Sequence, residues 1–307
     1  MADITVLTPT YNRAYIIERT YRSLIVQKYQ DFKWMIIDDG SNDNTKDVID
    51  EFIKENRIQI EYYYKENGGK HTALNFAYSK IDTPYCVILD SDDELTEDAL
   101  LVFSEIWEKR DRSREYWCIS ARCLDGATGE LVGKAYPDNI NDLKFGLKKR
   151  IVIGKSYGEK CTFYDTSILT QFPFPVYKDT KYVTEDTIWL TISKKYDQLC
   201  TNKCVRIYHQ NMSDSLARGY MHSEQKAATY FYFSAYIINN DAIRFLYNPK
   251  SVLYFLHFSR CAKLSNKRYS DAISLIESCW KKIVVTLFYP FGFFIGLIQS
   301  KRCQKNE

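Results

Sequence analysis

Two acid clusters stand where short apolar runs end. Tyr85-Cys86-Val87-Ile88-Leu89 leads into Asp90-Ser91-Asp92-Asp93, and Lys33-Trp34-Met35-Ile36-Ile37 leads into Asp38-Asp39-Gly40-Ser41. Carboxylates set this close repel one another, so cations or hydrogen-bond donors must neutralise them. Mg2+ and Mn2+ take oxygen ligands and commonly use one or two carboxylates together with phosphate oxygens. Asp90-Ser91-Asp92 offers two carboxylates on one short turn, a geometry for clamping a metal-diphosphate. The plainer reading is an acidic cap for a helix beginning near Thr96, but a cap needs only one acid. Asp38-Asp39 suits a different task, accepting a hydrogen bond from a base N–H or a ribose hydroxyl. It equally fits a turn whose Ser41 caps the next helix. A third acid pair, Glu185-Asp186, lies just before Trp189. Acids there suit the first turn of a helix, and a carboxylate can also take the proton from an attacking hydroxyl.

The elements that must position these acids alternate in the βαβ manner. Strands are expected over 4–8, 32–37 and 58–64, with a further strand ending at Leu89. Between them, Asn12 is placed to cap a helix carrying Ile16, Ile17, Thr20, Leu24 and Ile25, and Ser41 or Asn42 to cap one carrying Val48, Ile49, Phe52 and Ile53. Asn67-Gly68-Gly69 reads as a loop before a helix over 70–79, and another helix follows over 97–108. Strands are expected over 116–122 and 204–208, with 131–135 as a hairpin return and a helix over 185–195; residues 151–163 fit neither period. In an α/β sheet ligands bind at the carboxyl ends of the strands, so both strand-end acid clusters belong to one crevice. After about Ser223 the pattern is helical, giving a division into 1–220 and 221–307.

The helical part ends in a charge-free run, residues 283–298, between Lys281-Lys282 and Lys301-Arg302. As a helix it would measure roughly 24 Å, short of the ~30 Å hydrocarbon core of a bilayer. Pro290 and Gly292 also interrupt it, so a segment near 281–302 lying at a membrane interface fits better than a full span; a helix buried against the protein is the alternative. The net charge of +3 on 307 residues argues for no nucleic-acid partner. Nine scattered cysteines without a CxxC pair read as reduced thiols of a cytosolic protein, and the N-terminus lacks the basic and apolar regions of a signal peptide.

Taken together, Thr8-Pro9-Thr10-Tyr11-Asn12-Arg13, Ile37-Asp38-Asp39-Gly40-Ser41-Asn42-Asp43, Asn67-Gly68-Gly69-Lys70-His71-Thr72-Ala73-Leu74-Asn75 and Leu89-Asp90-Ser91-Asp92-Asp93 resemble, in order and spacing, the family 2 glycosyltransferases. The resemblance covers roughly residues 3–212. It implies a GT-A fold, a Rossmann-like mixed sheet flanked by helices, here with a C-terminal helical extension. It also implies roles. Thr8, Thr10 and Arg13 would border the nucleotide, with Asp38 and Asp39 at the nucleoside and Asp39 reading the base. Asp90, Ser91 and Asp92 would face ribose, diphosphate and a Mn2+ or Mg2+ ion. Lys70 would meet a phosphate or the donor sugar, and His209, as a third ligand of the metal, and Arg218, as a donor contact, would lie in a loop closing over donor and metal. Asp186 would be the base of an inverting transfer, supported by Glu185. The chain has no Gln-x-x-Arg-Trp motif, unlike the processive synthases of that family, which favours transfer of a single sugar. The expected donor is a UDP-sugar and the expected acceptor a glycan or lipid-linked glycan in surface-polysaccharide assembly, met at the cytoplasmic face of the plasma membrane. A nucleotidyltransferase would be expected to show a glycine-rich phosphate loop after the first strand. An inactive nucleotide-binding scaffold would be expected to lack Asp92 or Asp186.

Overall fold

The computed structural model describes residues 2–137, 142–143, 158–209, 224–240 and 253–303. The chain forms two compact units. One comprises Met1–Phe174 and Ile188–Met212, the other Pro175–Thr187 and Ser213–Glu307.

The first unit is built on one mixed sheet. Its strands are β1 (Ile4–Thr10), β2 (Phe32–Asp38), β3 (Gln59–Tyr64), β4 (Tyr85–Ile88), β5 (Glu94–Leu95), β6 (Tyr116–Asp125), β7 (Asp142–Leu143), β8 (Lys160–Asp165) and β9 (Asp197–Tyr208). They lie in the order β3-β2-β1-β4-β8-β6-β9-β5, and β7 pairs with β9. β1 to β4 run parallel, β8 runs against β4 and β6, and β9 runs parallel to β6. Every residue of β1 and β2 is buried, as expected for interior parallel strands covered on both faces. Helices α1 (Ile17–Ile25), α2 (Thr45–Glu55), α3 (Lys70–Tyr78) and α4 (Ala99–Glu108) join the first strands. The short α5 (Thr166–Leu169) follows β8, and α6 (Asp186–Ile192) begins in the second unit and ends in the first. Ile17, Thr20, Tyr21 and Leu24 form the buried face of α1, and Tyr21 stacks on Phe52 of α2 with ring centroids 4.1 Å apart.

The caps differ from the sequence expectation. Asn12 and Ser41 do not cap α1 and α2; they join the two strand-end loops to each other. The Asn12 amide donates to Ser41 Oγ at 2.8 Å, and the Asn42 amide donates to Asn12 Oδ1 at 2.9 Å. Asp43 takes the capping role instead, accepting from the Thr45 amide at 3.0 Å. The 131–135 return amounts to one bridge, Leu124 to Leu131. β9 begins seven residues before the expected 204: its first residues, Asp197 to Cys200, already pair with β6, and Thr201 to Lys203 bulge out of register between the Ser120–Cys200 and Arg122–Cys204 pairs. Residues 151–157 lie outside the described residues.

The second unit contains α7 (Glu224–Asn240), α8 (Leu253–Leu264), α9 (Tyr269–Ser274) and α10 (Cys279–Cys303). Segment 175–187 is tied to α7: Tyr177 stacks on Tyr232 at 3.7 Å between centroids, and Thr229 Oγ1 donates to the Tyr182 carbonyl at 2.6 Å. α10 corrects an expectation. Pro290 and Gly292 do not interrupt it; they lie inside one 25-residue helix. Proline removes a single backbone donor, and α8 supports the helix at this level. A Cβ on Gly292 would stand 2.3 Å from the Leu256 carbonyl oxygen, and one on Gly296 2.9 Å from that of Arg260, so both glycines are needed for the two backbones to approach. Residues Cys279–Ser300 are long and apolar enough to cross a membrane. The eight cysteines from Cys86 to Cys279 are free thiols.

Candidate active site

The strand order places the acids. β2 and β3 lie on one side of β1 and β4 on the other, so a crevice opens at the carboxyl ends of β1 and β4. Register sets Thr10 level with Asp38, while β4 ends at Ile88 beside Leu7, and Asp90 follows after Leu89.

The acids are neutralised from within the protein. The buried Asp38 accepts from the Ser41 amide at 2.7 Å and from the Tyr62 hydroxyl at 2.8 Å. Asp39, also buried, accepts from Lys65 Nζ at 2.5 Å, the Gly68 amide at 3.0 Å and the Gly69 amide at 2.6 Å. Asn67 Nδ2 adds a bond of 2.8 Å to the Asp39 carbonyl. The Asp39 carboxylate therefore organises loop 65–69. Gly40 makes this approach possible: its φ is +85°, and a Cβ there would lie 2.7 Å from the Asn67 nitrogen. Gly69, with φ +93°, then starts α3, and Lys70 reaches across to Asp90 Oδ1 at 2.6 Å.

The Asp90-Ser91-Asp92-Asp93 turn is held from two sides. From α1, Arg19 Nη1 donates to the Asp92 carbonyl at 3.3 Å and Thr20 Oγ1 to the Asp93 carbonyl at 2.9 Å. From β9, the His209 amide donates to Asp93 Oδ1 at 3.0 Å, and Arg206 Nε lies 3.3 Å from Asp93 Oδ2. The latter is an ion pair without hydrogen-bond alignment. Asp93 is thus a structural anchor and Ser91 is buried, leaving Asp90 and Asp92 as the accessible carboxylates, their side chains 34% and 22% exposed. Their electrostatics diverge. Burial pushes Asp90 up, but Lys70, Arg206 and Arg13 outweigh it and hold the carboxyl below its usual range. Burial and the neighbouring Asp90 push Asp92 upward, with Arg13 at 3.9 Å only partly offsetting them. Burial pushes Asp93 up as well, against the pull of Arg206.

Two carboxylates on one turn fit a hard, oxygen-seeking cation. No group of three potential ligands occurs among the described residues, so phosphate oxygens and water would complete its shell. The expected third ligand, His209, is engaged elsewhere: its Nε2 lies 2.7 Å from Glu94 Oε1, because the ring packs over Gly126 beside Glu94. Thr8 also departs from expectation. Its hydroxyl is fully buried and accepts from Trp34 Nε1 at 2.9 Å, so it holds β1 to β2 and presents nothing to a ligand. Thr10 Oγ1, by contrast, is buried without a hydrogen-bond partner at the crevice end of β1. His71 is buried with neither ring nitrogen bonded, and burial lowers its pKa, keeping the imidazole neutral.

Glu185 and Asp186 lie in the second unit; Asp186 is exposed and opens α6. Arg218 lies outside the described residues. Sequence reasoning missed Arg19, Arg206 and Glu94, which hold the acid turn, and Tyr11, whose ring is 45% exposed just beyond β1 and offers a stacking surface. A cation inside the apolar run Val205-Arg206-Ile207 was the one available signal for Arg206.

Comparison with known proteins agrees with this arrangement. Residues 5–118 match the family model Glycosyl transferase family 2. The chain is 28% identical over 225 residues to the GalNAc(5)-diNAcBac-PP-undecaprenol beta-1,3-glucosyltransferase of Campylobacter jejuni, covering 71% of this chain and 68% of that one. The aligned regions span only 16% and 49% of two further curated relatives. Among solved structures, residues 1–349 of S. aureus TarS in complex with UDP-GlcNAc superpose with a TM-score of 0.65 at 15% identity, covering 99% of this chain and 92% of that one. The mannosyltransferase PcManGT of Pyrobaculum calidifontis, in complex with GDP-Man and Mn2+, superposes with a TM-score of 0.53 at 17% identity, covering 97% and 84%. The first unit of this chain is a family 2 glycosyltransferase domain with the GT-A fold, and the protein is a glycosyltransferase.

Proposed function

We propose that the protein transfers a single sugar, with inversion, from a UDP-sugar to a hydroxyl of a glycan or lipid-linked acceptor in polysaccharide biosynthesis. The observation that carries this reading is the Asp90-Ser91-Asp92 turn at the end of β4, faced by Lys70 and Arg13. Two accessible carboxylates flanked by two cations suit a ligand that is itself a metal-neutralised dianion, and a nucleoside diphosphate is one. Mn2+ or Mg2+ bound at Asp90 and Asp92 would supply charge neutralisation to the departing diphosphate. The chain's own residues do the rest. Tyr11 offers its ring to the base, and Thr10 an unused hydroxyl beside it. Lys70 and Arg13 bring positive charge to the phosphates, and Asp186 takes the acceptor proton as its oxygen attacks the anomeric carbon. The UDP-GlcNAc bound to TarS supports the choice of nucleotide. The undecaprenol-diphosphate glycan in the name of the C. jejuni relative supports a lipid-linked acceptor.

A screen of UDP-, GDP- and dTDP-sugars for donor hydrolysis with Mn2+ is expected to show turnover with a UDP-sugar. No turnover with any donor, together with no UDP binding by calorimetry, would overturn the proposal.

The same reading places the enzyme peripherally on the cytoplasmic face of the plasma membrane. Ile283, Leu287, Phe291, Phe294 and Ile298 form an exposed stripe at three- and four-residue intervals along α10. Trp280 stands exposed near the start of the helix, beside Lys281 and Lys282. From residue 278 to 306 the sequence contains no acid. An apolar stripe ended by cations and an interfacial aromatic suits an anionic bilayer surface. Wild-type protein is expected to float with vesicles containing phosphatidylglycerol. The double variant Leu287→Glu, Phe291→Glu is expected to stay behind while hydrolysing donor at the wild-type rate. Unchanged flotation of that variant would remove the stripe from membrane contact.

A further inference from the structure

In the ligand-free chain three acids of the crevice, one buried and two accessible, each have a cation of the protein beside them. Lys65 sits on Asp39 at 2.5 Å, Lys70 on Asp90 at 2.6 Å and Arg13 near Asp92 at 3.9 Å. These pairs are not equivalent. Asp39 is buried and also accepts from the Gly68 and Gly69 amides, so its pair with Lys65 is structural. Arg13 is fastened through its backbone, donating from its amide to Thr45 Oγ1 at 2.9 Å, and its Nη1 donates to the Tyr15 hydroxyl at 2.9 Å. Lys70 is different. Its side chain is a quarter exposed, the Asp90 carboxylate it meets is one third exposed, and its ammonium rides on a flexible aliphatic stem one residue past a loop that Asp39 has already fixed. An ammonium on a flexible stem is the kind of charge that can change partners without moving the backbone.

We propose that Lys70 is an exchangeable internal cation: it occupies Asp90 while the crevice is empty and passes to the donor diphosphate when a divalent ion takes the Asp90-Ser91-Asp92 turn. This rests on the donor reading above. The pair solves a problem set by the sequence. Asp90 and Asp92 must be held close before any metal arrives, and a charge-assisted bond to Lys70 relieves their repulsion. The same bond competes with a metal ion for Asp90, so a metal without a diphosphate meets resistance. A metal together with a diphosphate offers Lys70 a new anion. The exchange thereby couples metal and donor binding, and the coupling is reciprocal.

The test separates the two halves of the exchange by their opposite signs. MnCl2 alone is titrated into wild-type protein and Lys70→Met, with free Mn2+ followed by electron paramagnetic resonance. UDP is then titrated by calorimetry at saturating MnCl2. Losing one charge-assisted bond corresponds to about tenfold in affinity. Lys70→Met is therefore expected to bind MnCl2 alone about tenfold more tightly, and UDP with MnCl2 about tenfold more weakly. Lys70→Arg, which keeps the charge, is expected to retain most of the wild-type UDP affinity and to show no gain for MnCl2 alone. Weaker binding of both ligands by Lys70→Met, or an unchanged affinity for MnCl2 alone, overturns the exchange and leaves the donor reading standing. Wild-type protein that binds neither MnCl2 nor UDP overturns the donor reading and the exchange with it.

Discussion

Asp92→Asn is expected to lower Mn2+-dependent sugar transfer by about a thousandfold, the range found when a preorganised electrostatic partner of the transition state is removed. The substitution changes charge and almost nothing else. Arg19 bonds the Asp92 backbone carbonyl and not its side chain, and Thr20 holds the next carbonyl, so the turn keeps its course in the variant. Asp92 is the more exposed to this change because no ammonium rests on it: Arg13 stands 3.9 Å away, whereas Lys70 holds Asp90 at 2.6 Å. Its carboxyl is pushed upward by burial and by Asp90, which a bound dication would reverse. The measurement is kcat/KM across a Mn2+ titration, with thermal unfolding as the control for folding. Transfer within tenfold of wild type would show that Asp92 does not hold the ion.

The second large effect is expected at the other acid pair. Asp186→Asn is expected to reduce transfer by roughly 100- to 10,000-fold, the usual contribution of a general base. Its affinity for UDP in the presence of Mn2+ should stay at the wild-type value. Asp186 is exposed at the first position of α6, where a carboxylate can reach a substrate and where replacing it by an isosteric amide costs the helix only part of a dipole interaction. Glu185→Gln is the matched control, and its effect should be smaller. If Asp186→Asn transfers at the wild-type rate, the base is another residue. If it loses UDP affinity in proportion to transfer, Asp186 serves donor binding. The split between turnover and affinity is what separates a base from a binding residue.

Much of the first unit was legible because its signals are local. Apolar runs ending in Asp38 and Asp90 marked the ends of β2 and β4, and Gly68-Gly69 marked the start of α3. What escaped was decided by distant partners. Asn12 and Ser41 have the chemistry of caps, but the parallel pairing of β1 with β2 brings their loops together, so that Ser41 accepts from the Asn12 amide and Asn12 accepts from the Asn42 amide. Thr8 looks like a ligand contact by its place before Pro9, yet Trp34 on the neighbouring strand claims its hydroxyl. β9 shows only its last residues to a sequence reading because Thr201 to Lys203 break the apolar alternation; they bulge between two paired stretches, and the pairing of Asp197 to Cys200 with β6 is what extends the strand. Pro290 reads as a break because a proline in an isolated helix is one. The close seat of Gly292 and Gly296 against α8 supplies the packing that carries the helix through.

By itself the sequence determined which residues could carry the chemistry: three acid pairs, a lysine after two glycines, and the alternation that sets the first two pairs at strand ends. Residue type and spacing suffice for that, since strand and helix periods are short-range. Only the tertiary structure decided how the acids are used. Asp39 and Asp93 have the same side chain as Asp90 and Asp92, but burial beside the Lys65 loop and beside Arg206 commits them to holding the crevice in shape. The strand order β2-β1-β4 leaves Asp90 and Asp92 at the open edge, where their charge is answered by Lys70 and Arg13 and remains available to a ligand. Charge is a property of the residue, but the cost of that charge depends on desolvation and on neighbours brought from far along the chain, and those exist only once the sheet has formed.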